Sequence, residues 1–271
     1  MIIIGERVNA TRKSIRAAIE AHDAPAIRNE ITGQADAGAD YIDLNAGTGS
    51  GDVEQEKRDL CWLVDIALDC TEKKLVLDAA ETEVIAHAAR HLNNRREWML
   101  NSVNAESEPD LAAGLAVAAE FKVPVIALAM DQTGIPDNSP KRIEICGRIH
   151  AAALEKGLAE DQLFFDPLVL PISADVSQGN VTFETLAGIM KKFPHAHTTM
   201  GLSNVSHGLK KRIKVNSAFL LLSIANGLDS AICDPIKPDI MQAILLGELL
   251  TGKDRYCRRF TRALRKGVFD N

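Results

Sequence analysis

The sequence predicts an α/β protein built as a closed (β/α)8 TIM barrel, a single domain over residues 1–271, and three observations carry that prediction. Short apolar runs alternate with helix-length amphipathic stretches from one end of the chain to the other. Eight such runs occur within about 250 residues, which suits a closed barrel of eight units better than an open sheet. No low-complexity linker breaks the alternation. Strict β–α alternation implies a parallel sheet, because each parallel connection needs a crossover long enough for a helix.

The elements follow in order. The predicted strands are IIIG (2–5), YIDLN (41–45), KLVLD (74–78), EWMLN (97–101), VPVIALAM (123–130), LFFD (163–166), HTTMGLSN (197–204) and SAICD (230–234). Each is a short apolar run of strand length. Between them lie stretches such as EPDLAAGLAVAAEF (108–121) and SPKRIEICGRIHAAALEKG (139–157). These repeat apolar residues at helical spacing and often start with Ser, Asp or Pro, as helix N-termini do. The Gly- and Pro-rich segments AGTGSGD (46–52) and DQTGIPDNSP (131–140) each follow a strand and read as long βα loops. The last stretch, DRYCRRFTRALRKGVFDN, reads as a basic amphipathic tail helix that packs on the barrel or on a second subunit.

Composition narrows the function. The chain is 46% hydrophobic and 25% charged, with a formal charge of -6. No basic stripe appears, so a nucleic-acid surface is not expected. The densest basic segment, GLKKRIK (208–214), reads either as a solvated helix start or as a site for a carboxylate or an acidic partner. Five widely spaced cysteines without a C-x-x-C point to reduced thiols, with no disulfide frame and no structural zinc. MIIIGERVN has too few apolar residues for a signal-peptide core, and AFLLLSIA (218–225) is too short to span a bilayer. The expectation is a soluble cytoplasmic protein with no membrane association.

Each predicted strand leads into a carboxylate or carboxamide: Glu6, Asp43 with Asn45, Asp78, Asn101, Asp131, Asp166, Asn204 and Asp234. In a barrel these ends converge on the face that carries the active site. Any single one could cap the following helix. Eight together are harder to explain that way. The ring is rich in acceptors, and only Arg7, Lys210, Lys211 and Arg212 are near enough in sequence to add positive charge. That disfavours a phosphate-dominated substrate, and no phosphate-loop or dinucleotide motif is present. A carboxylate accepts two parallel N–H bonds from an amidine-like edge, such as a pterin has. An Asn adds a donor and an acceptor, which suits a lactam.

Metal hydrolysis is the rival reading, and it usually needs His at strand ends. His22, His87, His91 and His150 fall on predicted helices, His195 and His197 at a strand start, and only His207 near the ring. The His87–His91 spacing would suit a metal on one helix face but has no strand-end partner. No bound metal is expected. Ser203 has no His–Asp relay, and Cys233 lies in an apolar strand, so nucleophilic catalysis is unsupported.

The motifs IIGERVNAT (3–11), YIDLNAG (41–47), LVLDAA (75–80), LNSVNAE (100–106), DQTGIP (131–136), FFDPLVLP (164–171) and GLSNVSHG (201–208) resemble the pterin-binding barrel methyltransferases. The resemblance is to those acting between methyltetrahydrofolate and a corrinoid protein, and it runs from residue 2 to about residue 260. It implies methyl transfer between N5 of 5-methyltetrahydrofolate and the cobalt of a corrinoid (cobalamin) held by a separate protein. It assigns Asp78, Asn101 and Asp166 to the pterin ring, Gly201 and Ser203 beside it, and Arg212 to the flank of the folate. It makes Asn204 the mobile carboxamide that reaches N5, a neutral group able to stabilise that atom as the C–N bond breaks. Glu6, Asp43, Asn45 and Asp131 stand behind these as supports. A homodimer is implied too.

Ala79 and Ala80 replace hydroxyl residues of the family pattern, Asp131 an Asn, and His207 a Gln. Two alternatives stay open. Dihydropteroate synthases share the barrel and the pterin acids, but carry an Arg–Lys pair where Asn204 and Val205 follow GLS here. A non-catalytic folate-binding module is the other. The chain has no D-x-H-x-x-G corrinoid motif, so the corrinoid is expected to arrive in trans, over the loops 46–54 and 131–140. The direction of transfer is set by the partner.

Overall fold

Alternation along each strand separates two cores. The computed structural model describes residues 1–49 and 51–270. Its strands are β1 (Ile2–Asn9), β2 (Tyr41–Asn45), β3 (Lys74–Asp78), β4 (Trp98–Ala105), β5 (Val125–Asp131), β6 (Leu163–Asp166), β7 (His197–Thr198) and β8 (Ser230–Cys233). One strand residue set faces the helices: Ile42, Leu44, Leu75, Leu77, Leu100, Val125, Ala127, Leu163 and Phe165. The other set, Ile4, Tyr41, Val76, Met99, Ile126 and Phe164, packs inside the barrel as a separate apolar cluster. The period of two along a strand makes this division.

Ten α-helices surround the sheet among the described residues: α1 (Lys13–Glu20), α2 (Ala24–Asp36), α3 (Val53–Cys70), α4 (Thr82–Leu92), α5 (Glu108–Phe121), α6 (Ser139–Glu155), α7 (Gln178–Lys192), α8 (Arg212–Ala225), α9 (Pro238–Leu250) and α10 (Arg258–Arg265). Asp23, Asp52, Ser107 and Asn138 cap α2, α3, α5 and α6 by accepting backbone N–H bonds. Proline stands in the first turn of α2, α5, α6 and α9, where its missing N–H costs nothing. None of these helices is long and apolar enough to cross a membrane.

All neighbouring strands pair in parallel, in the order β7-β6-β5-β4-β3-β2-β1-β8. The β7–β8 seam is closed by fewer backbone bonds than the rest. Ile232 N donates to Met200 O at 2.9 Å, and Gly201 forms a single bridge to Ile232. Side chains complete the seam. Asp229 accepts from Thr198 N at 2.8 Å and contacts His197 Nδ1 at 2.7 Å, and Ser230 Oγ donates to Thr198 O at 2.9 Å. These contacts staple β7 to β8 where the ladder is short.

Two expectations need correction. The seventh strand does not reach 204: it ends at Thr198, and Ser203 and Asn204 sit in a 3-10 turn, Leu202–Ser206. His22 is not helical. It takes a left-handed turn (φ 50°) between α1 and α2, with its ring 4.9 Å from Trp62. The tail helix is real but only eight residues long, held by Arg259 on the buried Glu248 of α9. Ser50, in the first long loop, lies outside the described residues.

Candidate functional site

Two residues beyond each member of the inner apolar layer, the chain places a cavity-lining residue. Ile4 is followed by Glu6, Tyr41 by Asp43, Val76 by Asp78, Met99 by Asn101, Ile126 by Leu128 and Phe164 by Asp166. The step of two keeps these side chains on the inner face, one layer nearer the C-terminal mouth. With Asp234, they line a cavity of about 720 Å³. Parity also explains an exception. Asp131 lies five residues beyond Ile126 and is not in the lining. Its carboxylate accepts from Thr133 N at 3.0 Å and Thr133 Oγ1 at 2.7 Å, with Arg148 at 3.3 Å, and these contacts hold its pKa down. Asp131 thus stands apart from the cavity-lining acids that it was expected to support, and it shapes its own loop.

Strand register builds a polar row. Asn45 pairs with Asp78, and Asp78 with Asn101, across β2, β3 and β4. Asn45 Nδ2 donates to Asp78 Oδ2 at 2.9 Å, and Asn101 Nδ2 to Asp43 Oδ1 at 3.3 Å. Asn45 is not part of the lining; it orients Asp78 from behind. Asp166 closes the far side, accepting from Leu168 N at 2.7 Å and from the Gly201 N–H. None of the strand-end acids and amides caps an α-helix among the described residues. Asn45, Asp131, Asp166 and Asp234 each cap the turn two residues on instead.

Burial sets the electrostatics. Asp43, Asn101 and Asp166 are 2%, 9% and 6% exposed. Desolvation raises the pKa of Asp78 to about 6, against the opposing bond from Asn45, and that of Asp166 to about 6, against two backbone N–H bonds. Burial and the neighbouring Asp78 charge push Asp43 well above the usual carboxylate range. Burial raises Glu6 as well, opposed by its bond from Ser203 Oγ at 2.7 Å. These carboxyl groups lack enough donors of their own, so each takes up a proton or an N–H donor readily.

The wall opposite is the 3-10 turn. Arg212, first residue of α8, donates to Ser203 O at 2.6 Å and to Ser206 Oγ at 3.1 Å, pinning the turn. The Asn204 carboxamide is exposed to the cavity and makes no hydrogen bond among the described residues. A Cβ on Gly201 would approach Asn204 Nδ2 to 3.1 Å, so glycine leaves room for the amide to move. Asp78, Asn101, Asp166, Gly201, Ser203, Asn204, Arg212, Glu6 and Asp43 thus all meet in one cavity.

Several residues escaped the sequence. Arg7 is not available to a ligand: it pairs with Glu30 at 2.5 Å and Asp234 at 2.8 Å. Arg12 and Lys237 line the cavity in its place. Arg142 of α6 is wholly buried and donates to Pro136 O, Pro167 O, Leu168 O and Gln178 Oε1 at 2.8–3.0 Å. It props the loop that follows Asp166, including Leu168 at φ 64°. Only a register-by-register walk outward from the inner layer could have ranked Leu128 above Asp131.

Comparison with known proteins shows the family and the fold. The family model described as pterin binding enzyme matches residues 5–234. The chain belongs to the pterin-binding enzyme family. It is 34% identical over 269 residues to a methylcorrinoid:tetrahydrofolate methyltransferase from Eubacterium limosum, covering 98% of this chain and 97% of that one. It is 31% identical over 244 residues to methionine synthase from Mycobacterium tuberculosis, covering 86% of this chain but 20% of that protein. Within the pterin-binding family, full-length similarity to the first places the chain among the methyltransferases. The barrel also superposes on dihydropteroate synthases. The Xanthomonas albilineans synthase in complex with 7,8-dihydropteroate compares at TM-score 0.69, with 19% identity over 92% of each chain. The Coxiella burnetii synthase in complex with pteroic acid compares at TM-score 0.68, with 14% identity over 93% of this chain and 94% of that one. At such identity the likeness speaks for the fold.

Proposed function

We propose that this chain moves a methyl group between N5 of tetrahydrofolate and the cobalt of a corrinoid carried by a separate protein. The observation that carries the reading is one cavity holding Asp78, Asn101 and Asp166 together with an unpaired Asn204 carboxamide. The three acceptor-rich side chains take the amidine and lactam edge of the pterin. Their buried carboxyls, short of donors, gain the N–H bonds that a pterin brings.

The corrinoid supplies the cobalt that accepts or gives up the methyl group. Everything else falls to this chain. When the methyl group leaves N5, the electrons of the C–N bond stay on nitrogen, and N5 gains a proton. In the reverse direction the N5 lone pair forms the bond and the N5 proton departs. Asn204 is placed to hydrogen-bond N5 as that charge develops. Ser203, fixed by Glu6 and carried on the turn that Arg212 pins, holds Asn204 at the cavity edge. An amide suits both directions because it donates without itself titrating.

Asn204→Ala lowers methyl exchange between 5-methyltetrahydrofolate and free cob(I)alamin by about 10²–10³. Folate affinity, measured by calorimetry, falls far less. Unchanged turnover in a variant that still binds folate would remove Asn204 from the mechanism.

A synthase reaction is the weaker reading. The likeness to dihydropteroate synthases extends to the barrel, yet Asn204 and Val205 stand where the synthase pattern has its Arg–Lys pair. A purely binding role leaves the unpaired Asn204 amide without a purpose.

A further inference from the structure

Methyl transfer at N5 moves a proton, and the Asn204 amide cannot supply it, because a carboxamide is not among the side chains that titrate near neutral pH. The proton comes either from solvent or from a titratable group beside the turn that carries Asn204. Five carboxyls line the cavity: Glu6, Asp43, Asp78, Asp166 and Asp234. Four are engaged elsewhere. Asp78 takes Asn45 Nδ2, Asp43 takes Asn101 Nδ2, and Asp166 takes the Leu168 and Gly201 N–H groups. Asp234 is spent on Arg7 at 2.8 Å and on Ile236 N at 3.2 Å.

Glu6 is different. Among these acids it alone bonds a side chain of the turn, accepting from Ser203 Oγ at 2.7 Å, and its second oxygen has no hydrogen bond among the described residues. Strand register accounts for the meeting. Gly5 of β1 pairs with Cys233 of β8, and Ile232 of β8 bridges to Gly201, so β8 lies between Glu6 and the turn. A glutamate has the length to reach past it to Ser203. The groups that face Glu6 are Asp43 on β2, Cys233 and Asp234 of β8 and its following loop, Arg12 at the start of α1 and Arg212 on α8. Burial is the largest influence on its pKa and raises it, against the Ser203 bond and the two arginines. Such a carboxyl exchanges its proton nearer to neutral pH than an exposed glutamate does.

We propose that Glu6 holds the proton that N5 gains or loses and that the Ser203 hydroxyl relays it, an inference that rests on the folate reading above. As the methyl group leaves, the Ser203 hydroxyl proton passes to the electron pair left on N5, and the Glu6 carboxyl proton passes to Ser203 Oγ. The serine ends unchanged and Glu6 ends as a carboxylate. In the other direction N5 gives its proton to Ser203 Oγ while the serine proton moves to Glu6. The observed contact serves both states: Ser203 donates to ionised Glu6, and protonated Glu6 donates to Ser203. Asn204 stabilises N5 while the neighbouring pair moves the proton.

The test is single-turnover methyl transfer with free cobalamin in both directions, with folate saturating so that the acids on the pterin edge are already engaged. In wild type, transfer from 5-methyltetrahydrofolate slows as pH rises and Glu6 ionises, by up to about tenfold per pH unit, and transfer to tetrahydrofolate slows as pH falls. Glu6→Gln keeps the size of the side chain and an acceptor for Ser203. It loses both pH limbs and is slower by about a hundredfold or more in each direction. Ser203→Ala breaks the relay without touching β1 and has the same effect, whereas Ser203→Thr keeps the hydroxyl and restores most of the rate. Intact pH limbs in Glu6→Gln, whatever its absolute rate, or full rate in Ser203→Ala, would overturn the relay. Calorimetry keeps the two readings apart. Wild type that binds 5-methyltetrahydrofolate beside variants with unaltered transfer leaves the folate reading standing without the relay, and wild type that does not bind it removes both.

Discussion

Asp78 and Asp166 are both raised to about 6 by burial, so near that pH the unliganded cavity holds protons that an incoming pterin must displace. A pterin edge donates N–H bonds and needs ionised acceptors. Its affinity is therefore level above about pH 7 and falls below about 6, by up to about tenfold per pH unit for each proton displaced. Calorimetry from about pH 5 to 8 in buffers of different ionisation heat would read both the slope and the protons released. A flat profile would mean that these two carboxyls do not face the ligand's donors. Their identity as candidates was legible in the sequence, since each ends an apolar run. Their distinction from Asp131 was not, because a tally of strand-end acids ignores which face a side chain takes. The Asp131 side chain folds back on Thr133, and the D-x-T spacing was the signal for that turn.

At the level of elements, most strands and the alternation of helices follow from local pattern, and Asp, Ser or Pro marks the starts of α2, α3, α5, α6 and α9. The seventh strand was not. HTTMGLSN looks like an extended run throughout, yet the chain leaves the ladder after Thr198 and enters the turn that carries Asn204. What bends it there is distant in sequence: Asp166 takes the Gly201 N–H, and Arg212 donates to Ser203 O. Arg142 is the same kind of case. In SPKRIE it resembles any arginine on a solvated helix face, because its partners are loop carbonyls 6 and 25–26 residues away, and Gln178. Arg142→Met keeps much of the volume but strands those acceptors. Each hydrogen bond to a charged group is worth about 1.5–3 kcal/mol, so the loss of stability is about 3 kcal/mol or more. Chemical denaturation would measure it, together with weaker folate binding as the loop after Asp166 loosens. Wild-type stability in that variant would show the guanidinium to be dispensable.

At the scale of the whole molecule, the barrel places its least comfortable residues where binding needs them. The interior below is a closed apolar layer, and the helix-facing side is a second, larger core. The stability those cores supply tolerates a mouth of acids whose charged forms burial disfavours. The sign of that cost can be followed. A carboxyl whose folded pKa exceeds its unfolded value favours folding at low pH, and that contribution is lost as pH rises through the folded value. For Asp78, raised from 3.8 to about 6, full ionisation costs the unliganded protein about 3 kcal/mol. Asp78→Asn keeps an acceptor for Asn45 and removes the ionisation, and it also relieves the charge that Asp43 feels. The variant is therefore more stable than wild type at about pH 7.5, and the gap shrinks as pH falls through about 6 towards 4. Folate binding is lost in the same variant, because one of the paired acceptors becomes a donor. Saturating folate reverses the order, stabilising wild type alone. Melting curves at about pH 4.5, 6 and 7.5, with and without 5-methyltetrahydrofolate, separate these outcomes. A D78N variant less stable than wild type at the highest of these pH values would mean that the charge on Asp78 helps to hold the barrel mouth together.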